Sequence, residues 1–228
     1  MSNSTEVASD RRAFLTKLAS GSAAVAAGGI ALNLMAPSAQ AESLAFSAQS
    51  DDWLDKIKGT HKQFFDGVTI NEGFALAFAL NFLNANNQAY KLPDSSLTAV
   101  VGLRHFAAPI GFTDAIWAKY KLGEFFKVMD PATKQPLTRN MYYQPHEGEL
   151  PLPGMSVDSL QSRGVIFTVC NVALTLLSML TSKTAGVTPE VAKKEWVAGM
   201  IPGTHLVPAG VLAVNRAQEK GCTYCSAG

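Results

Sequence analysis

The sequence predicts an α/β domain built around a parallel sheet, and three observations predict it. Short apolar or β-branched runs alternate with longer helical ones along the chain. The run Leu97–Leu103 (LTAVVGL) offers solvent no polar face, which suits a parallel strand covered on both sides. The run 165–170 (VIFTVC) passes directly into a helix-spaced apolar stretch, the succession that a parallel sheet requires.

The chain opens on an address. Arg11 and Arg12, with Phe14, Leu15 and Lys17, form the charged part of a twin-arginine export signal. Residues 18–36 are an apolar region diluted by Gly21, Gly28, Gly29, Ser20, Ser22 and Asn33, and Ala39-Gln40-Ala41 supplies small residues for cleavage. Asp10 stands where Ser or Thr is usual. The expectation is carriage by the twin-arginine translocase, cleavage near Ala41 and a periplasmic destination. A general secretory signal and an uncleaved anchor are the alternatives, since 18–36 is nearly long enough to span a bilayer.

Three segments follow from this: the signal 1–41, a lead segment 42–61, and one α/β domain 62–228. The signal holds three of the 19 basic and two of the 18 acidic residues, so sixteen of each remain and the formal charge of the rest is zero. Balanced charge without a Lys/Arg run gives no electrostatic footprint for nucleic acid.

Along the domain, 62–66 (KQFFD) reads as a strand. The stretch 71–84 reads as a helix with Phe74, Ala77, Phe78 and Phe82 at helical spacing, which assigns the three phenylalanines to the core. Residues 114–127 read as the helix after the second strand. Five prolines (Pro131, Pro136, Pro145, Pro151, Pro153) then mark 129–155 as an insertion without periodicity: a lid, an oligomer arm or a long surface excursion. A short helix at 157–162, the strand 165–170 and a helix at 171–181 come next. Residues 188–200 form a helix with Pro189 in its first turn, 205–208 a last short strand, and 210–220 a last helix. Four to five βα units result.

In such a sheet the ligand crevice lies beyond the carboxyl ends of the strands. Asp66, Arg104 with His105, Cys170 and Pro208 stand at those ends and should share one rim. Cys170 also falls just before a helix, whose unpaired amides and positive dipole end favour a thiolate. Arg104 or His105 nearby would stabilise the same anion. A buried structural cysteine, a structural histidine and a turn-capping aspartate are the plainer readings of Cys170, His105 and Asp66.

The other two cysteines, Cys222 and Cys225, lie together near the C-terminus. Ser226 excludes a c-type haem site, because no histidine follows the pair. A disulfide between them, redox exchange with Cys170, and a zinc set completed by His205 or His105 all remain open. No GxSxG elbow, Walker loop, strand-linked GxGxxG or HExxH occurs, so no cofactor is expected.

The succession KQFFDGVTINEG, LNFLNA, LTAVVGLRHFAAP, GVIFTVCNVAL and HLVPAGVLAVNRAQEKGCTY resembles the DsrE/DsrF-like proteins over roughly residues 62–224. The resemblance implies a three-layer flavodoxin-like fold around a parallel central sheet, and assembly into trimers or hexamers. In sulfur-handling members a cysteine at the end of a middle strand receives persulfide sulfur, and Cys170 in FTVCNVAL matches that position. The implied function is a sulfur-carrier or thiol-handling role with Cys170 as acceptor, Arg104 and His105 as anion stabilisers, and a sulfur donor or thiol protein as partner. The alternative is a non-catalytic oligomeric protein binding a small ligand or metal in the same crevice. Export, the Pro-rich insertion and the closing Cys-Thr-Tyr-Cys depart from familiar relay members.

Overall fold

Strands without a polar face must be covered on both sides, and that requirement shapes the architecture. In the computed structural model β1 (His61–Gly67), β2 (Leu97–Leu103), β3 (Ile166–Cys170), β4 (His205–Val207) and β5 (Thr223–Ser226) form one sheet in the order β4-β3-β2-β1-β5. Every pairing is parallel. The structure describes residues 48–228; residues 1–41, expected to be an export signal, and residues 42–47 of the lead segment lie outside the described residues. No helix among the described residues is long and apolar enough to cross a membrane.

The helices are α1 (Phe74–Tyr90), α2 (Asp114–Lys119), α3 (Leu122–Phe126), α4 (Val157–Ser162), α5 (Asn171–Ser182), α6 (Pro189–Ala198) and α7 (Gly210–Glu219). Strand alternation splits the core in two. Phe65, Val101 and Phe167 face a large cluster with Leu76, Leu83, Trp117, Leu174 and Trp196. Phe64, Val100 and Ile166 face a small one with Val207, Ala213 and Ala217 of α7 and Trp53 of the lead segment. The result is the three-layer flavodoxin-like arrangement that the sequence predicts. Gly102 is part of its construction: a Cβ there would lie 2.3 Å from the Phe64 ring, so the ring fits only over a glycine.

Several elements differ from the sequence reading, each for a physical reason. Phe74 and Phe78 are not core residues. They are 42% and 37% exposed and pack edge-on against each other, because α1 buries the adjacent stripe Ala75, Leu76, Ala79, Leu80 and Leu83. The single helix expected at 114–127 is two, since Lys121 takes a left-handed conformation (φ 50°) and interrupts the backbone ladder.

The insertion is anchored rather than loose. Asn140, fully buried, donates through Nδ2 to the carbonyls of Ile110 and Phe112 and accepts from the Tyr142 amide. The tail is also ordered: residues 223–226 add a fifth strand to β1. Finally, the domain begins before residue 62. The 3₁₀ segment Ala48–Lys56 places Trp53, Leu54 and Ile57 in the small core.

That placement makes the lead segment part of the folded unit. Trp53 is fully buried, so Trp53→Ala should cost on the order of 3–5 kcal/mol in urea unfolding followed by circular dichroism. A cost of about 0.5 kcal/mol or less, the size of a surface change, would show the segment to be an appendage.

Candidate functional site

The strand order sets where chemistry collects. From β1 the chain winds outward to β4 and then returns to the far flank of β1 as β5, so the direction of winding reverses between β1 and β5. That switch point, at the carboxyl ends of the strands, is where ligands bind in open α/β sheets.

Asp66 sits there, near the end of β1 and only 2% exposed. Alternation puts it on the α7 face with Phe64, just as Arg104 follows Val100 and Gly102 on the neighbouring strand. The register pairs Asp66 with Gly102 on one side and Ser226 on the other. The Arg104 amide extends the ladder by one step, donating to Gly67 O at 3.1 Å. Its guanidinium then turns back and grips the carboxylate in two places, Nε to Oδ1 at 2.7 Å and Nη2 to Oδ2 at 2.8 Å. From β5 the Tyr224 hydroxyl donates to Oδ2 at 2.9 Å. One buried anion thus ties three strands together.

These contacts govern the charges. Hydrogen bonding to Asp66, against an opposing effect of burial, holds the Arg104 guanidinium above even its usual range. The same carboxylate keeps the Tyr224 phenol protonated by accepting its hydrogen. The stem of Arg104 lies against the start of α7, where a Cβ on Gly210 would fall 2.5 Å from the Arg104 Cβ. Only glycine allows the helix that close.

Cys170 closes β3 and is the N-cap of α5; its Sγ accepts from the Ala173 amide at 3.4 Å. It is 7% exposed and packs on the large core. The register pairs Leu103 with Val169, so Arg104 and Cys170 each follow by one residue at the ends of neighbouring strands and share a rim, as the strand-end reading expects.

The remaining sequence candidates are arranged differently. His105 is exposed, has a left-handed backbone (φ 49°) and packs its ring on Phe106 at 4.1 Å. None of its described contacts reaches Asp66, Arg104 or Cys170. The possible Cys222–Cys225 disulfide is not made, and all three cysteines are free. Three residues apart on an extended chain, Cys222 turns into the small core and Cys225 packs on the large one, so β5 holds them on opposite faces. Burial raises both thiol pKa values, the reverse of what a redox nucleophile needs.

His205 is also remote from them. It opens β4 at the other end of the sheet, bonded to Lys56 Nζ at 3.0 Å and close to Asp52 at 3.4 Å. Burial, and then Lys56, depress its pKa, so the neutral ring is favoured. Among the described residues no group of three or more His, Cys, Asp or Glu is arranged to hold a metal. Tyr224 is the site residue that sequence reasoning missed. The signal for it was the short β-forming run Thr223-Tyr224-Cys225 after a helix-ending glycine.

No model of a known protein family matches the chain, and no curated protein does. A solved structure of a protein of unknown function from Methanobacterium thermoautotrophicum is similar at 16% identity with a TM-score of 0.36, covering 73% of this chain and 99% of that one.

The buried ion pair generates a direct test. Arg104→Ala removes the partner of a carboxylate that stays buried and should cost about 3 kcal/mol or more. Asp66→Asn combined with Arg104→Ala should recover part of that loss in chemical denaturation. Equal losses in the single and double variants would show that the arginine is not serving the buried charge.

Proposed function

We propose that this chain is an exported DsrE-like sulfur-carrier or thiol-handling protein in which Cys170 accepts sulfur. The observation that supports the reading is the position of one cysteine. Cys170 is the N-cap of α5, bonded to the Ala173 amide, at a strand end next to the one that Arg104 follows. Helix N-termini and neighbouring cations both favour sulfur anions.

The transfer balances without an added oxidant. The Cys170 sulfur attacks the outer sulfur of a donor persulfide, the donor's S–S bond breaks, and the donor leaves as a thiol carrying the proton that Cys170 gave up. Cys170 is left as a persulfide. Arg104, held in place by Asp66, would face the anion during the step. His105 would act only after a movement of its exposed loop.

Self-association fits the same proposal. Val172, Leu176 and Leu180, at i, i+4 and i+8, leave an apolar stripe exposed along α5, with exposures of 60%, 42% and 50%. The family resemblance adds the trimer or hexamer, and the arginine-pair signal adds the periplasmic destination. The rival reading is a non-catalytic binding protein that uses the rim for a small ligand; the low exposure of the thiol favours it.

Thiol chemistry separates the two. The proposal expects that a small alkylating agent labels Cys170 faster than a model thiol at neutral pH, and that incubation with a low-molecular-weight persulfide adds one sulfur atom to Cys170 in mass spectrometry. Cys170→Ser should abolish that addition, and Arg104→Gln should slow it. Slow alkylation together with no added sulfur on the folded protein would overturn the proposal in favour of the binding role.

A further inference from the structure

The insertion encloses space that the sulfur reading does not use. Between the Ile70–Glu72 turn after β1, the end of α3 and residues 128–151 lies a cavity of about 530 Å³. Its size falls within the range of small-molecule sites. Ile70, Phe126, Val128, Met129 and Met141 give it an apolar lining.

The walls are built rather than loosely draped. Tyr142, 2% exposed, is fixed through its amide to the buried Asn140. Three of the lining residues, none of them glycine, adopt left-handed backbone conformations: Asn71 (φ 35°), Glu72 (φ 52°) and Lys127 (φ 56°). Such conformations are unfavourable for residues with a Cβ and cluster at ligand clamps.

The charges around the cavity differ in kind. Glu149 is already spent in an ion pair with Arg139. Glu72 and Lys127 form no ion pair with each other or with any other described residue, although both border the cavity. The charge of Glu72 is felt inside: burial first, and then Glu72, hold the Tyr142 phenol above its usual range. An unspent carboxylate and an unspent ammonium thus flank one apolar space.

We propose that this cavity binds a small zwitterion with an apolar side chain, an amino acid or a dipeptide, with its ammonium group toward Glu72, its carboxylate toward Lys127 and its apolar part against Phe126 and Met141. A simple amine or a simple acid would satisfy only one of the two charges. A metal ion would leave the apolar lining unused.

Titration calorimetry of the full chain tests this with L-phenylalanine and the dipeptide phenylalanyl-leucine as probes. Phenethylamine, which lacks the carboxylate, and 3-phenylpropionate, which lacks the ammonium group, serve as controls. At least one zwitterion should bind saturably with one-to-one stoichiometry, and which one does distinguishes free amino acid from peptide. Both controls should bind about tenfold weaker or less, and Glu72→Gln and Lys127→Met should each weaken the zwitterion about tenfold. Both side chains are exposed, so both variants should keep the parent's thermal melt. The proposal fails if neither zwitterion saturates at millimolar concentration, if a control binds as tightly, or if either substitution leaves binding unchanged.

Discussion

A carboxylate buried at the end of a central strand cannot stand alone, and much of this molecule is arranged around that fact. Asp66 lies at the point where the chain's winding reverses, with only 2% of it exposed. Desolvating it without a partner would cost several kcal/mol. The partners come from both neighbouring strands, Arg104 just past β2 and Tyr224 from β5. Binding Tyr224 gives the C-terminal residues a reason to pair with β1, and the Ala227 amide donates to Asp66 O at 3.1 Å to complete the attachment. Fixing Arg104 in turn sets the floor on which α7 begins, a contact so close that Gly210 has no substitute there.

The same constraint explains how structure and chemistry meet on one rim. An arginine that neutralises Asp66 still keeps its side chain 28% exposed. Cys170 reaches that rim because β3 ends where α5 begins, so one residue serves as both strand end and helix cap. Rigid strands place the groups, while the strained turns at Asn71, Glu72 and His105 shape the surfaces beside them. The insertion frames a cavity of its own beside the turn that follows β1, and Asn140 pins it to carbonyls of the 110–112 turn.

What the sequence made legible was whatever depends on local pattern. β2 stood out because Thr98 alone interrupts its apolar run, and β3 because β-branched residues crowd it. Cys170 was readable as a helix cap from its place between those two textures. Asp66 and Arg104 were visible as strand ends on one rim, but not their pairing or the part of Tyr224, since residues 38 and 158 positions away must be brought to Asp66 by sheet order. Sheet order is a tertiary fact. Phe74 and Phe78 misled for a related reason: helical spacing names a face without saying which face is buried, and the smaller stripe beside them packs better. The tail misled because four residues are too few to show a period, and pairing with β1 is what makes them a strand. The lead segment showed no period to place it, and the burial of Trp53, Leu54 and Ile57 against the α7 face of the sheet is a tertiary fact.

The central claim is that Asp66 organises the rim, and amide hydrogen exchange on Asp66→Asn tests it most directly. Neutralising the carboxylate weakens both charge-assisted contacts while leaving the shape of the side chain intact. The account predicts that protection falls together at 223–227 and 104–111, whereas Phe167 and Val169 in β3 exchange as slowly as in the parent. Unchanged protection in both segments, or a uniform loss that includes β3, would contradict it.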